Sequence, residues 1–230
     1  DDLVVIMDES HHYRAKSSIE AINSLRPLLG LELTATPRTQ DGAREILFKN
    51  VVFEYPLSSA IRDGYTRSPY ALTRRDIKAY NFSNEELDKV MLADGIKHHE
   101  LMKNTLIEYA KNNYLRIVKP FMLVVCQDTN HAASIYSYLN SPSFCSGKYQ
   151  GKVVIVHSNQ SGEEKEDNIN LLLSVEKADN PIEIVVHVNK LKEGWDVNNL
   201  YTIVPLRTAT SKVLREQTVG RGLRLPYGHR

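Results

Sequence analysis

Two carboxylates directly follow a short apolar run near the start of the chain. Residues 3–7 form the run, and Asp8, Glu9, Ser10 and His11 come next. A β-branched run of this length is typical of a strand buried on both faces of a parallel sheet, so the acids should emerge at its carboxyl end. Carboxylate oxygens suit Mg²⁺, and a neighbouring acid can act as a base towards water. An acidic pair alone is weak evidence of function, because acids after strands are also ordinary in turns and helix caps.

Two hydroxyls follow a second short apolar run. Thr34 and Thr36 come at the end of residues 31–34, and Pro37 stops that strand. The carboxyl ends of neighbouring parallel strands lie at the same edge of a sheet. If the two strands pair, the hydroxyls are therefore expected beside Asp8 and Glu9.

A basic cluster lies near the other end of the chain. Residues 207–230 contain six basic side chains and one acid. Arg221 and Arg224 are three residues apart, and Gly220 and Gly222 beside them leave room for both guanidinium groups to approach one anion. The cluster predicts a phosphate partner, from a nucleotide or from nucleic acid.

The elements that must position these groups alternate between strands and helices. The first set is a strand at 3–7, a helix at 17–29 closed by Gly30, and a strand at 31–34. A helical stretch at 83–115 follows. The second set comprises strands at 121–126, 153–156, 182–188 and 201–205, with helices at 129–140, 163–177 and 211–219. This alternation predicts an α/β fold with parallel sheets, whose ligands bind at the carboxyl ends of the strands.

Composition excludes several classes of protein. The 230 residues include 29 basic and 28 acidic side chains, and 42% are hydrophobic. These values exclude a mainly disordered, collagen-like or coiled-coil chain and suit one large domain or two smaller ones. No apolar run approaches the roughly 20 residues of a membrane span. Cys126 and Cys145 form no disulfide framework, so we expect a reducing, cytoplasmic setting. His98-His99-Glu100 lacks the separated ligands of a zinc site.

The order of these residues resembles the motifs of superfamily 2 helicases and translocases, nucleic-acid-stimulated ATPases with two RecA-like lobes. The matching segments are 8–11 for motif II in its DExH form, 34–36 for motif III, 121–130 for motif IV, 193–196 for motif V and 217–224 for motif VI. More narrowly, residues 191–196 and 216–226 resemble the restriction (Res) subunit of type III restriction-modification enzymes.

The resemblance implies an ATP-dependent DNA translocase motor that uses ATP and Mg²⁺. Residues 1–55 would be the C-terminal part of the first RecA-like lobe. Residues 56–230 would be the second lobe, with a helical segment at about 78–118. The expected partners of the motor are DNA, through backbone contacts, and a modification (methyltransferase) subunit.

The resemblance also implies roles for residues of the first lobe. Asp8 would hold Mg²⁺ through water, and Glu9 would polarise the attacking water. His11 would couple the nucleotide site to motif III. Thr34 and Thr36 would relay the nucleotide state to the second lobe.

Further roles are implied for the second lobe. Arg221 and Arg224 would reach the γ-phosphate as arginine fingers, and Gln217 would join His11 in coupling to motif III. Gly194 and Asp196 would contact the phosphate and ribose side of the nucleotide. Because the acids and the arginines would sit on different lobes, hydrolysis would require the lobes to close.

Two expected parts are missing from the sequence. A phosphate-binding loop of the form G-x-x-x-x-G-K-[ST] is absent, and no nuclease centre of the PD-(D/E)xK kind is evident. We expect the loop to precede Asp1 in a longer protein, so the chain alone should not hydrolyse ATP. Two alternatives stay open: another superfamily 2 DNA or RNA helicase, and a non-catalytic DNA-binding module with the same fold.

Overall fold

The structure, a computed structural model, describes residues 2–41, 44–75, 81–156, 170–188, 197–206 and 218–228. The chain divides into two compact units, Asp1–Pro56 and Leu57–Arg230. Parallel strands flanked by helices form the core of the chain, which confirms the predicted α/β class. None of the helices in these ranges is long and apolar enough to cross a membrane.

The first unit pairs two short parallel strands and adds a small hairpin. Its elements are β1 (Val4–Met7), a 3-10 helix (Ser10–Arg14), α1 (Lys16–Ser24), β2 (Leu29–Glu32), β3 (Arg38–Asp41) and β4 (Arg44–Leu47). Strands β1 and β2 are parallel, with Val4 opposite Leu29 and Met7 opposite Glu32. Strands β3 and β4 are antiparallel and were not predicted from the sequence.

The first predicted helix is too long at its C-terminal end. Helix α1 ends at Ser24, five residues before the predicted limit. Pro27 disfavours the helical conformation for the residue before it, and Arg26 has a left-handed φ of 51°. Gly30 does not close a helix, because it lies in β2 opposite Val5.

The burial predicted for the first strand is also wrong. Val4 and Ile6 are 51% and 66% exposed. Among the described residues β1 pairs only with β2, in a sheet of two strands, so most of its side-chain surface has no covering element. The apolar composition identified a strand correctly, but it did not determine what covers that strand.

The second unit is built on a four-stranded parallel sheet. Its elements are α2 (Leu57–Arg62), α3 (Asn84–Asn112), β5 (Phe121–Cys126), α4 (Thr129–Leu139), β6 (Val153–Val156), β7 (Ile184–Val188) and β8 (Leu200–Pro205). The strand order is β6-β7-β5-β8. All four predicted strands are present to within two residues, as are the predicted helices corresponding to α4 and, to within three residues, α3. The helices predicted at 163–177 and 211–219 lie mostly outside the described residues, although residues 170–173 and 218–221 are helical.

Strand β5 is the centre of the hydrophobic core. All six of its residues are buried. Met122, Val124 and Cys126 face the core that includes α3 and α4, while the alternate residues face the core around Leu172 and Val175. Burial of a large apolar side chain contributes about 2 kcal/mol, so this strand fixes the sheet on both sides.

Helix α3 packs closely on this sheet. Its N-terminus carries a capping box, in which Ser83 accepts from the Glu86 N–H at 3.3 Å and Glu86 accepts from the Ser83 N–H at 2.9 Å. At Gly95 a Cβ atom would lie 2.4 Å from the Val204 Cγ2 on β8. Only glycine therefore permits this approach of α3 to the sheet.

Candidate functional site

The first acidic pair lies at the carboxyl edge of the β1–β2 sheet. The ladder continues past both strands, since the Leu33 N–H donates to the Met7 carbonyl at 2.8 Å and the Ser10 N–H donates to the Leu33 carbonyl at 3.1 Å. The chain after β1 is therefore held against the chain after β2. This pairing places the acids and the threonines at one edge, as the sequence predicts for neighbouring strands.

Glu9 turns the chain sharply at this edge. Its φ of 49° and ψ of 46° are left-handed, a conformation that costs a non-glycine residue about 1 kcal/mol. The Glu9 N–H donates to the Asp8 Oδ1 at 2.9 Å, which compensates part of that cost. Backbone strain of this kind is common at functional sites, and here it brings two acidic side chains to the start of the 3-10 helix.

His11 joins the acids to the threonines. Its Nδ1 lies 3.1 Å from the Thr34 Oγ1 and 3.3 Å from the Glu9 Oε2. The Thr34 Oγ1 in turn accepts from the Thr36 N–H at 3.1 Å. A continuous polar path therefore runs from Glu9 through His11 and Thr34 to the backbone of Thr36.

Two buried hydroxyls accompany this path. Ser10 and Thr36 are only 1% and 2% exposed. Within the described ranges, neither hydroxyl oxygen has a hydrogen-bond partner. A buried polar group without a partner costs about 1 to 3 kcal/mol, so the edge keeps polar groups where apolar ones would be more stable.

The remaining predicted site residues lie in the second unit. Arg221 ends the helical turn 218–221, and Arg224 follows three residues later; both are partly buried. Gly194, Asp196 and Gln217 lie outside the described residues. The structure thus brings five of the predicted residues together in the first unit, namely Asp8, Glu9, His11, Thr34 and Thr36.

The two glycines beside the arginines have different surroundings. A Cβ on Gly222 would lie 3.3 Å from the Val219 carbonyl oxygen and 3.4 Å from the Ile203 Cδ1. A Cβ on Gly220 would meet nothing within 4 Å. Gly222 therefore allows the turn to pack on β8. Open space was predicted at both glycines, but of the two only Gly220 has it.

Gly222→Ala should destabilise the chain, whereas Gly220→Ala should not. The methyl group at position 222 would force the Ile203 side chain or the Val219 carbonyl to shift by a few tenths of an ångström. The low end of the overpacking range, about 1 kcal/mol, therefore applies. Urea unfolding of both variants measures the difference. Equal midpoints for the two variants would show that the turn is not packed on β8 in solution.

A charged cluster lies at the amino edge of the larger sheet, and it was not predicted from the sequence. Glu183 precedes β7 and is 6% exposed. It accepts hydrogen bonds from Lys103 Nζ at 2.6 Å and Lys152 Nζ at 2.9 Å, and lies 3.4 Å from His99 Nε2. Burial raises the pKa of Glu183, but the hydrogen bonds from His99, Lys103 and Lys152 outweigh it and hold the pKa far below its usual range. We call these four residues the amino-edge cluster.

The amino-edge cluster and the neighbouring Glu100 do not fit a metal ion. One ligand atom each from His99, Glu100 and Glu183 lies within 4.8 Å of the others. However, Lys103 and Lys152 already neutralise Glu183, and the Tyr149 hydroxyl donates to Glu100. Burial and this hydrogen bond raise the pKa of Tyr149 well above its usual value. The group is therefore a structural ion cluster that ties α3 to the sheet.

Comparison with known proteins adds independent information. The family described as "Type III restriction enzyme, res subunit" matches residues 1–39. The probable type III restriction-modification enzyme HindVIP Res subunit of Haemophilus influenzae is 38% identical over 76 residues, or 31% of this chain. The EcoPI Res subunit of Escherichia phage P1 is 46% identical over 56 residues, or 24% of this chain. The similarity to Res subunits is confirmed.

The similarity concerns part of each protein. The chain spans 15% of the HindVIP Res subunit and 6% of the EcoPI Res subunit. Among solved structures, the ATP-dependent Type ISP restriction-modification enzyme LlaBIII bound to DNA matches with a TM-score of 0.56 and 18% identity, over 98% of this chain and 17% of that one. This likeness supports the RecA-like fold that the sequence predicts.

Proposed function

We propose that the chain is part of an ATP-dependent DNA translocase motor, the restriction subunit of a type III restriction-modification system. The observation that carries this proposal is the polar path from Glu9 through His11 to Thr34 at the carboxyl edge of β1 and β2. An acid, a histidine and a threonine on two sequence-distant strands are joined there as motifs II and III of a helicase would be. The similarity to Res subunits supports the type of motor.

In this proposal the first unit would supply the carboxylate that holds Mg²⁺ and the base that acts on water. Mg²⁺ prefers hard oxygen ligands, and the exposed Asp8 carboxylate at the strand end has this chemistry. Asp8 would hold the ion through water, and the ion would neutralise charge on the phosphates. Glu9, 53% exposed and 3.3 Å from His11, would orient the attacking water. Thr34 and Thr36 would relay the state of the nucleotide to the second lobe, because His11 contacts Thr34.

The second unit would supply the other half of the site. Arg221 and Arg224 would stabilise charge on the γ-phosphate, and Gln217 would couple to motif III. Gly194 and Asp196 would contact the phosphate and ribose side of ATP. Positioning and electrostatic stabilisation account for almost all catalysis of phosphoryl transfer, so both halves are required.

DNA is the proposed track of the motor. The basic residues within 207–230 would contact the phosphate backbone, which carries no sequence information. A modification (methyltransferase) subunit would be the protein partner. These 230 residues contain no phosphate-binding loop of the expected form. In the proposed motor, the loop would belong to another part of a longer protein.

The test of the proposed function is ATP hydrolysis in the presence and absence of DNA. The full-length protein should show DNA-stimulated turnover, Asp8→Asn and Glu9→Gln should each remove it, and the 230-residue chain alone should have no enzymatic rate. Glu20→Gln is the matched control, because Glu20 is an acid of the same unit on the exposed side of α1. Robust turnover by the short chain, or normal turnover by the Glu9→Gln full-length protein, would refute the proposal.

A further inference from the structure

Arg67 contacts two separate parts of the second unit. It lies in the connection between α2 and α3. Its backbone N–H donates to the Leu223 carbonyl at 2.8 Å. Its Nη2 donates to the Leu200 carbonyl at 2.9 Å and lies 3.4 Å from the Asn198 carbonyl, at the start of β8. One residue therefore ties the chain after α2 both to β8 and to the segment that contains Arg224.

The Arg67 side chain is held firmly in this position. Its guanidinium carbon lies 3.8 Å from the centroid of the Tyr201 ring, a cation–π contact. Burial lowers the pKa of Arg67, and the neighbouring Tyr201 offsets part of this effect. Burying a cation is costly unless it is well paired, and here the two carbonyls and the Tyr201 ring provide the pairing.

A second arginine holds the same segment from its other side. Arg116 Nη2 donates to the Pro226 carbonyl at 2.8 Å, and the Tyr227 hydroxyl donates back to the Arg116 carbonyl at 3.1 Å. The contacts with Leu223 and Pro226 therefore bracket Arg224 in sequence. Leu223 is itself only 5% exposed, so the backbone on the N-terminal side of Arg224 is anchored by packing as well.

We propose that Arg67 is a positioning residue for Arg224, with Arg116 as its counterpart on the other side. This inference rests on the proposed function, in which Arg224 reaches the γ-phosphate. Fixing the backbone on both sides limits the directions that the Arg224 side chain can take before ATP binds. Displacing a catalytic group by about 1 Å lowers the rate on the order of 10²-fold. Anchors on the backbone beside Arg224 therefore matter for turnover.

The experiment compares ATP turnover of the full-length protein with DNA in four forms: wild type, Arg67→Met, Arg224→Ala and the double variant. Arg67→Met keeps the backbone N–H that donates to Leu223 but removes the side-chain anchor on β8 that holds this N–H in place. We therefore expect Arg67→Met to lower kcat about 10- to 100-fold while the KM for ATP changes little. In the Arg224→Ala background the same change should have no further effect, since its action passes through Arg224. Arg67→Lys, which keeps a donor and a charge, should recover part of the loss.

Arg62→Met is the matched control. Arg62 lies at the end of α2, its side chain is 74% exposed, and it pairs with Asp63 on the surface. Its loss should leave kcat unchanged. If Arg67→Met does not fold, Arg116→Met should show the same split between kcat and KM, because it releases the Pro226 carbonyl.

The outcomes separate this inference from the proposed function. Equal losses from Arg67→Met in the wild-type and Arg224→Ala backgrounds would overturn the positioning role, as would normal kcat in both Arg67→Met and Arg116→Met. Normal turnover in Arg224→Ala would show that Arg224 is not an arginine finger, and the positioning role of Arg67 would fail with it. Loss of turnover in Arg224→Ala together with normal kcat in the two positioning variants would leave the proposed function intact.

Discussion

Arg221→Ala and Arg224→Ala should each lower DNA-stimulated ATP turnover of the full-length protein about 10³- to 10⁵-fold. The two guanidinium groups would stabilise the charge that spreads over the γ-phosphate oxygens in the transition state. Neither residue belongs to the buried core, so the fold and much of the ATP affinity should persist. Steady-state turnover and nucleotide binding, measured on the same preparations, separate these effects.

Arg62→Ala is the control for loss of a surface arginine in the same unit, since the Arg62 side chain is 74% exposed. It should retain normal turnover. Near-normal turnover in both Arg221→Ala and Arg224→Ala would show that neither arginine acts on the nucleotide.

Glu183→Gln should lower the free energy of unfolding of the 230-residue chain by about 3 kcal/mol. Removing one partner of a buried ion pair costs about 3 to 5 kcal/mol, and the lower end applies because Lys103 and Lys152 keep access to water. Glu85→Gln is the matched control. Its side chain is 78% exposed and pairs with Lys89 at the surface, so its loss should cost less than about 1 kcal/mol. Urea unfolding at neutral pH measures both.

The same carboxylate predicts a dependence of stability on acid. The pKa of Glu183 is lowered in the folded chain, so its contribution is fully present above the usual pKa of glutamate, roughly 4.3. The contribution is lost progressively as the pH falls below that value towards the lowered pKa. Between pH 5 and pH 3 the wild-type chain should therefore lose more stability than Glu183→Gln. Parallel losses in both chains would mean that other carboxylates determine the acid sensitivity.

The two central strands of the larger sheet, β5 and β7, could be predicted from sequence because they are buried on both faces. Strand β5 is an unbroken apolar run, and the structure begins and ends it where the run does. The first helix was predicted too long because its apolar spacing continues past Ser24, although Pro27 signals an earlier end. The β3–β4 hairpin was missed because its residues are largely polar, despite an Asp-Gly pair at 41–42 that commonly marks a hairpin.

The candidate site was partly predictable for a related reason. Residues close in sequence to a strand end, such as Asp8 and Thr34, inherit their positions from the pairing of β1 with β2. Glu183 and Arg67 could not be identified in this way. Glu183 meets Lys103 across 80 positions, and Arg67 meets Leu200 across 133, so their partners depend on packing of whole elements. No local pattern marks either residue.

Helix α3 touches the larger sheet at both ends of its strands. Near the carboxyl edge, Asp88 lies 2.8 Å from His131 Nε2, and His131 Nδ1 accepts from the Gln127 N–H just after β5. At the amino edge, Lys103 reaches Glu183. Asp88 and Lys103 are fifteen residues apart in the helix, which corresponds to about 22 Å along its axis. Because a hydrogen-bonded helix is stiff along its axis, a shift of α3 along that axis moves the contacts at both edges of the larger sheet together. Helix α3 thus couples the two edges of this sheet mechanically.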